Sequence, residues 1–341
     1  MTNSIPLSEK KQNDYLLDIQ NLVVEYPTDE GNVRAVNDVS LSLQKGEILG
    51  LVGESGCGKS TIGFSILGML KGGIIRDGKI IFAGRDLRKI SEEELQRLRG
   101  SDISMVFQAS QNALNPLQKV SNHFIETLKV HKRWDEKSWN SVKELLQRLE
   151  ISESRLEDYP FQFSGGMQQR IVIALTFILN PKLIIADEPT TALDVLVQAK
   201  LLKLLKELIE EFNLTVIYIT HDLGVVAEIT HRVAIMYAGK ILEIGDTFTI
   251  FERSAHPYTQ ALISAIPNVK AKSKNKMSSI PGHPPDLRDP PKGCCFADRC
   301  PFVVPLCREK EPKLILIPSQ TNIDHFVRCF KYNDRFSSQF N

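Results

Sequence analysis

The segment that most restricts the fold is an apolar run followed by a glycine-rich loop and a helical pattern. Glu47–Ser55 reads EILGLVGES, and the overlapping Gly53–Ser60, GESGCGKS, fits the phosphate-loop spacing G-x-x-x-x-G-K-S. We expect a buried strand, then the loop, then a helix from Lys59 to about Leu70. Backbone N–H groups of such a loop, together with the positive end of the helix, attract phosphate oxygens. The sequence therefore predicts a site for a phosphorylated ligand.

A second apolar strand ends in two carboxylates. LIIADEP, residues 183–189, has four apolar residues followed by Asp187 and Glu188. The carboxyl ends of parallel strands are where α/β sheets bind ligands. We expect Asp187 to hold Mg²⁺ through water and Glu188 to orient and deprotonate an attacking water. Either carboxylate alone would also suit a solvated turn, but combined with the phosphate loop the pair indicates a P-loop NTPase.

Apolar strands alternate with helical patterns along most of the chain. KLIIADEP and TVIYITHD predict buried strands, and Val195–Phe212 predicts a long amphipathic helix. This alternation indicates an α/β core with a covered, largely parallel sheet. LLDIQNLVVEY and VRAVNDVSLSL alternate apolar and polar residues, which predicts an added antiparallel layer. RVAIMYAGKILEIGD predicts a hairpin at Ala238–Gly239.

Charge and hydropathy argue against several functional classes. The net charge of the 341 residues is +1, so no basic excess points to nucleic acid, and we expect no such partner. No apolar run approaches the roughly 18 residues that a membrane span needs. The leading MTNSIPLSEKKQNDY lacks the apolar core of a signal peptide. We therefore expect a cytosolic chain without structural disulfides.

Further motifs occur in a fixed order around the two nucleotide motifs. MVFQ ends at Gln108, FSGGMQQR spans Phe163–Arg170, TALD spans Thr191–Asp194, and ITHD contains His221. In this order they resemble the Q-loop, signature, D-loop and switch histidine of the ATP-binding-cassette (ABC) family. The signature begins with phenylalanine where the family usually has leucine, and both are apolar. The resemblance covers roughly residues 16–265.

The ABC resemblance implies a fold and a set of site residues. The fold is an α/β P-loop NTPase with an ABC-type nucleotide-binding domain, an antiparallel β layer and a helical subdomain at about 109–180. Two ATP molecules would be sandwiched between two cassettes, each facing the other's signature helix. The implied catalytic residues are Lys59, Gln108, Glu188 and His221. The implied Mg²⁺ ligands are Ser60, Gln108 and Asp187. The implied ATP contacts are Tyr26, Gly53, Glu54, Ser55, Gly56, Cys57, Gly58, Lys59, Ser60, Thr61, Gln108, Ser164, Gly165, Gly166, Gln168, Asp187 and Asp194.

Cys57 lies inside the phosphate loop and has two interpretations. A helix N-terminus can lower the pKa of a thiol and make it reactive. Alternatively, cysteine is simply a small residue that fits the loop, which is the interpretation we prefer.

The composition changes in the last quarter of the chain. From about Asn268 prolines interrupt regular structure, and five of the six cysteines follow position 290. NPLQKV, IADEPTTALDVLVQA, AHPYTQAL, IPGHPPDL and the pattern GCxFxxRCxxxxxxC…RC together resemble the ATPase subunits of oligopeptide and dipeptide import systems. This second resemblance spans nearly the whole chain. It implies an ABC ATPase domain (16–265) and a small cysteine-rich C-terminal appendage (266–341). The polar residues at the start of the chain predict a disordered N-terminus (1–15).

The cysteine pattern predicts a metal or cluster site. Cys294, Cys300, Cys307 and Cys329 match the subfamily's four cysteines, and Cys295 is additional. Four thiolates suit either Zn²⁺ or an iron–sulfur cluster. The four matching cysteines are spaced more widely than the C-x₂₋₄-C pair typical of structural zinc, and members of the subfamily hold a [4Fe–4S] cluster, which we favour over zinc or bare thiols. A metal would also stabilise a region with few apolar residues.

The subfamily resemblance implies partners and a location. The chain would be the ATP-hydrolysing subunit of a peptide importer at the cytoplasmic face of the membrane. It would pair with a related or identical ATPase subunit and two membrane permeases, served indirectly by an extracytoplasmic solute-binding protein. Two alternatives stay open: an importer of nickel or another small solute, and a soluble ABC protein of translation or DNA maintenance. Proteins of the soluble class usually carry two cassettes or a long coiled coil.

Overall fold

A computed structural model describes residues 15–108, 113–190, 194–265, 280–319, 321–333 and 336. Most of the expected disordered N-terminus, the first three residues of TALD and the segment 266–279 lie outside these described residues. The chain divides into two compact units. The first comprises residues 1–44, 48–88 and 220–341, and the second comprises residues 45–47 and 89–219.

Strands and helices alternate along much of the described chain. The strands are β1 (Tyr15–Thr28), β2 (Gly31–Gln44), β3 (Ile48–Val52), β4 (Ile74–Phe82), β5 (Arg85–Asp86), β6 (Ile103–Val106), β7 (Leu183–Asp187), β8 (Thr215–Thr220), β9 (Arg232–Tyr237), β10 (Lys240–Asp246), β11 (Ile315–Ile317) and β12 (His325–Val327). The α-helices are α1 (Lys59–Leu67), α2 (Glu92–Leu98), α3 (Val120–Val130), α4 (Glu136–Arg148), α5 (Gly165–Phe177), α6 (Val195–Glu211), α7 (Leu223–Ile229), α8 (Thr247–Arg253), α9 (Pro257–Ser264) and α10 (Pro305–Glu309).

The first unit contains the expected antiparallel layer. Its strands run in the order β2-β1-β4-β5, and β1 pairs antiparallel with both β2 and β4. Leu17, Ile19, Leu22 and Val24 of β1 are fully buried. The apolar residues of this strand therefore supply the buried face that the alternating sequence predicts.

A second, mixed sheet in the first unit holds the phosphate loop. The strand order is β11-β12-β10-β9-β3, with β3 parallel to β9 and the remaining pairs antiparallel. The hairpin between β9 and β10 turns at Ala238 and Gly239, whose φ values are 48° and 79°. Two positive φ angles are the geometry of a tight two-residue hairpin turn, which confirms the predicted hairpin. The C-terminal strands β11 and β12 extend this sheet.

The second unit contains a parallel sheet and most of the long helices. Its strands run in the order β8-β7-β6, with Leu183 opposite both Ile103 and Thr215. Every residue of these three strands is buried, as expected for parallel strands covered on both faces. Where a helical subdomain is expected, at about 109–180, the structure has α3 and α4, separated by the turn that leads to the capping residue Asp135.

Helix α1 is shorter than the sequence pattern predicts. It ends at Leu67 because Gly68 adopts φ 63° and its N–H bonds to the carbonyls of Phe64 and Ser65, the usual glycine ending of a helix. Across all the described residues, the helices are too short or too polar for any of them to span a bilayer.

Two apolar clusters of very different size pack the C-terminal part of the first unit. The larger includes Tyr237, Tyr258 and Phe296, whose rings contact one another with centroids 4.7–5.4 Å apart. The smaller is built on Ala297, Cys307 and Phe330. So few buried residues provide little hydrophobic stabilisation by themselves.

Candidate functional site

The phosphate loop forms the turn that its glycine spacing predicts. It leaves the buried strand β3 and enters α1 through Gly58, whose φ is 105°, while Gly56 has φ 77°. No side chain caps the start of α1, and its first turn carries no acidic residue. The N–H groups of the first helical turn have no intrahelical acceptor. This end of α1 is therefore suited to bind an anion.

Lys59 is held inside the loop by backbone carbonyls. Its side chain is buried, and Nζ donates to the carbonyl oxygens of Gly53 at 2.7 Å and Glu54 at 2.9 Å. A buried ammonium group needs such acceptors because its desolvation is costly. The positive charge is thus fixed within the loop, while Ser60 and Thr61 are half-buried in the first turn of α1.

Two of the loop glycines are needed because other backbone segments pack closely against them, in addition to leaving room for a phosphate. A Cβ atom on Gly53 would lie 2.0 Å from the Met236 carbonyl oxygen, and one on Gly58 would lie 2.1 Å from that of Ala35. Gly56 has open space around it, so only its positive φ favours glycine. The sequence pattern predicts the glycines, but these backbone neighbours come from distant segments.

Cys57 is a buried packing residue in this loop. Burial raises the pKa of its thiol, although the nearby charge of Lys59 acts in the opposite direction. A raised pKa keeps the thiol protonated and unreactive at neutral pH. The structure therefore favours the interpretation of Cys57 as a small residue that fits the loop.

The second unit brings Gln108 and Glu188 together. Gln108 Nε2 donates to Glu188 Oε2 at 3.1 Å, and the Glu188 N–H donates to the Ile219 carbonyl at 2.9 Å. Asp187 is the last residue of β7 and is buried. Glu188 has φ 46°, a conformation that costs a non-glycine residue about 1 kcal/mol. Such strain is commonly found at functional sites.

The signature segment begins helix α5 and leaves its first residues accessible. Ser164 is the N-cap and accepts the Met167 N–H at 3.4 Å, while Ser164 and Gly165 are exposed. Gln168 Nε2 donates to the carbonyls of Pro160 and Phe163 at 2.8 and 3.2 Å, which fixes the preceding turn. Phe163 itself is buried, so the exchange of leucine for phenylalanine keeps an apolar packing position.

The remaining predicted nucleotide residues lie at element ends. Asp194 is exposed and caps α6 by accepting the Val197 N–H at 3.0 Å. His221 follows β8 directly and is exposed, and Asp222 caps α7. Tyr26 lies in β1, where Gly73 packs against its ring. These positions are compatible with contacts to a ligand or another chain.

Four of the C-terminal cysteines line one cavity. Cys294, Cys300, Cys307 and Cys329 share it with His256. Cys295 is not among its lining residues and instead packs in the larger cluster, with Sγ 3.9 Å from the Tyr237 carbonyl oxygen. All six cysteines lie in the described part of the chain, and none forms a disulfide. The structure thus separates the four cysteines of the predicted site from the additional one.

Three of the four cysteines that line the cavity have a raised thiol pKa. Burial raises the pKa of Cys294 and Cys300, and raises that of Cys329 to about 11. The His256 side chain is buried, and no described residue forms a hydrogen bond with its Nε2. Among the residues that the structure describes, no group of three or more His, Cys, Asp or Glu side chains is arranged to hold a metal ion.

Two contacts to the phosphate loop were not predicted from the sequence. Arg299 forms an ion pair with Glu54, and the Tyr258 hydroxyl accepts the Glu54 N–H at 3.1 Å. A cavity of about 300 Å³ also lies between the loop and the segment Pro284–Leu287. Arg299 and Tyr258 occur in the stretches RC and HPYT. Each lies more than 200 positions after Glu54 in the sequence, so no local pattern could have predicted its contact with the loop.

Comparison with protein families and curated proteins finds extensive similarity. Residues 36–191 match the family described as ABC transporter, and residues 242–307 match the oligopeptide/dipeptide transporter C-terminal region. The dipeptide transport ATP-binding protein DppD of Bacillus subtilis is 45% identical over 94% of this chain and 96% of its own length. The oligopeptide transport ATP-binding protein OppD of Escherichia coli is 42% identical over 97% of each chain.

Solved structures give the same answer for the fold. A dimeric ATP-binding cassette in a post-hydrolysis state with ADP and Pi is 31% identical, with a TM-score of 0.59 over 66% of this chain and 96% of that one. The cbiO1 subunit of an ABC transporter complex from Clostridium perfringens is 29% identical, with a TM-score of 0.61 over 71% of this chain and 92% of that one. The chain therefore belongs to the ABC transporter family, as an ATP-hydrolysing cassette of the group formed by the dipeptide and oligopeptide transport ATP-binding proteins.

Proposed function

We propose that this chain couples ATP binding and hydrolysis to the uptake of dipeptides or oligopeptides across the cytoplasmic membrane. The observation that carries the proposal is similarity over nearly the whole chain to peptide transport ATP-binding proteins, including a match to the C-terminal region characteristic of such transporters. This similarity favours peptide uptake over nickel import and over a soluble role in translation or DNA maintenance.

The phosphate loop is the proposed site for the triphosphate. Lys59 would exchange its carbonyl partners for the β- and γ-phosphates, and Ser60 would coordinate Mg²⁺. The uncapped start of α1 supports this role because its N–H groups can stabilise negative charge. The cavity next to the loop, about 300 Å³ in volume, is of a size that small ligands use. Tyr26 is the residue proposed to stack on adenine.

The strand-end residues are proposed to act on the attacking water. Glu188 would orient and deprotonate it, Asp187 would hold Mg²⁺ through water, and His221 would bond to the γ-phosphate. The hydrogen bond between Gln108 and Glu188 supports a further role for Gln108. Because the two side chains are in contact, a movement of Gln108 changes the environment of the proposed base. Gln108 could thereby link Mg²⁺ to a membrane partner.

A second cassette is the proposed partner at the signature helix. Ser164, Gly165 and Asp194 are all exposed, and helix α5 has no acidic residue in its first turn. The start of such a helix can receive the γ-phosphate of another subunit. We further propose that two membrane permeases bind this ATPase pair at the cytoplasmic face, and that an extracytoplasmic solute-binding protein delivers the peptide.

An iron–sulfur cluster is the group proposed for the cysteine cavity. Four thiols line this cavity, and the buried Nε2 of His256, which lines it too, has no hydrogen-bond partner among the described residues. Such a cluster would add stability to a region whose smaller apolar cluster has only three buried members. The described residues include no group of three or more ligands arranged for a metal ion, so the preference for a cluster over zinc rests on the four cavity thiols and on the subfamily resemblance.

Peptide uptake by cells tests the transport proposal. A strain that depends on this chain should take up a radiolabelled dipeptide when it carries the wild-type protein and lose that uptake with Lys59→Ala. Uptake of ⁶³Ni²⁺, measured in parallel, should be the same in both strains. Nickel uptake that requires Lys59, with unchanged dipeptide uptake, would replace peptide by nickel as the cargo.

A further inference from the structure

Arg299 reaches the phosphate loop from between the cavity cysteines Cys294 and Cys300. Its side chain is 6% exposed, and both terminal nitrogens of its guanidinium group bind the Glu54 carboxylate in a bidentate ion pair. Nη1 donates to Oε2 at 2.9 Å and Nη2 donates to Oε1 at 3.0 Å. Two parallel bonds of this kind form the strongest and most directional ion pair available to side chains.

The rest of the guanidinium group is equally constrained. Nε donates to the Pro281 carbonyl at 2.8 Å, Nη1 also reaches the Tyr237 hydroxyl at 3.1 Å, and Nη2 reaches the Ile280 carbonyl at 3.3 Å. With the two bonds to Glu54, all five donors of the arginine are used. The guanidinium carbon also lies over the Tyr237 ring, 5.6 Å from the ring centroid. Lysine could not reproduce this arrangement.

Glu54 passes this constraint to the lysine of the loop. Its N–H donates to the Tyr258 hydroxyl at 3.1 Å, and its carbonyl accepts from Lys59 Nζ at 2.9 Å. A carboxylate within a phosphate loop also repels the triphosphate that the loop is proposed to bind. Arg299 neutralises that charge and fixes the backbone around it.

We propose that Arg299 is a positioning residue of the nucleotide site, which sets the affinity for ATP by holding and neutralising Glu54. The inference rests on the proposed function of the phosphate loop and adds a residue 245 positions away from Glu54 in the sequence. Its consequence is that nucleotide binding depends on the fold of the cysteine-containing region. Damage to that region weakens ATP binding even though every loop residue is intact.

The test compares ATP binding to the full-length chain and its Arg299 variants in the presence of Mg²⁺, by isothermal titration calorimetry. Arg299→Gln leaves Glu54 unneutralised and should raise the Kd for ATP on the order of tenfold. Arg299→Lys keeps the positive charge but cannot form the two parallel bonds to Glu54, so it should give a Kd between those of the wild type and Arg299→Gln. If Arg299→Gln does not fold, Arg299→Lys carries the test. The matched control is Arg308→Gln, which breaks an exposed ion pair with Asp298 in the same region and should bind ATP like the wild type.

A second substitution separates positioning from general stabilisation. Adding Glu54→Gln to Arg299→Gln removes the uncompensated carboxylate, so the double variant should bind ATP more tightly than Arg299→Gln alone. A purely structural arginine predicts no such rescue. The inference is overturned if both Arg299 variants bind ATP with the wild-type Kd. It is also overturned if Arg299→Gln raises the Kd and the added Glu54→Gln does not lower it again. A wild-type chain that binds no ATP overturns the proposed function itself.

Discussion

The phosphate loop and the cysteine cavity belong to the same unit but are stabilised in different ways. The loop is held by backbone contacts from several strands, with Gly53 against Met236 and Gly58 against Ala35. The cysteine cavity is lined by Phe296 of the larger apolar cluster and by the three buried residues of the smaller one. His256 Nε2 is a buried polar atom with no hydrogen-bond partner among the described residues. One region is complete as a protein fold, and the other contains groups that a bound cluster would satisfy.

The difference indicates which part of the molecule the proposed cluster would stabilise. The carbonyls of the phosphate loop hold the Lys59 side chain in place without a bound nucleotide. The cysteine cavity would gain stability if the proposed cluster bound its thiols in their deprotonated form. Substitutions in the two regions should therefore affect different properties. Changes to the catalytic residues of the loop should lower activity, whereas changes to the cavity should lower stability and metal content.

The largest expected effect tests the loop as a catalytic element. Lys59→Ala removes the charge that would stabilise the β- and γ-phosphates, and ATP turnover should fall at least about a hundredfold. The thermal unfolding midpoint should change much less than the activity. Phosphate release by the full-length protein with its partner subunits measures the rate. Lys71→Ala, an exposed lysine just beyond α1, is the matched control; turnover of Lys59→Ala at the control rate would contradict the site.

The next effect tests the cavity as a cluster site. Anaerobically purified wild-type protein should contain about four irons per chain. Cys300→Ser should lose most of this iron and unfold at a lower temperature. Cys295→Ser is the control because this thiol packs in the larger cluster, not in the cavity. The proposed iron–sulfur cluster would be rejected if metal analysis found zinc in the wild type, or equal amounts of iron in the two variants.

A pair of glycine substitutions tests how the loop is packed. Gly53→Ala forces a Cβ against the Met236 carbonyl, whereas Gly56→Ala meets open space and only the strain of a positive φ. The second change should cost about 1 kcal/mol of unfolding free energy, and the first should cost clearly more. Urea unfolding gives both values. Equal costs for the two variants would show that backbone packing does not hold the loop.

The smallest expected effect concerns how the C-terminal strands attach to the sheet. Asp246 accepts hydrogen bonds from Thr249 and from Thr321, the latter at 2.8 Å. Burial alone would raise its pKa, but these bonds prevail and lower it. Asp246→Ala should cost about 1–2 kcal/mol of unfolding free energy at pH 7.

The pH dependence of this contribution has a definite sign. Because the pKa is lower in the folded chain, the stabilisation is complete above the unfolded pKa of about 3.9 and is lost as the pH falls through the folded value. Urea unfolding of both proteins from pH 7 to pH 3 should show the difference shrinking below about pH 4. A difference that does not change with pH would mean that the Asp246 charge is not what stabilises the attachment.

Local sequence patterns predict much of this molecule, while the long-range contacts had to be observed. The phosphate loop, the strand ending at Asp187 and the Ala238–Gly239 hairpin follow from spacing, because each is fixed by neighbouring residues. Helix α1 was expected to reach Leu70 because apolar residues continue, but the left-handed glycine ending stops it at Leu67. The Arg299–Glu54 pair had no local signal at all.

The most direct test of the central claim is purification of the full-length chain from detergent-solubilised membranes, with identification of its companions and measurement of ATP turnover. We predict that integral membrane permease subunits and a second cassette co-purify, and that Glu188→Gln abolishes turnover while an exposed control, Glu210→Gln, leaves it unchanged. A chain recovered alone as a monomer with full ATP turnover, or together with ribosomes or DNA, would contradict the account.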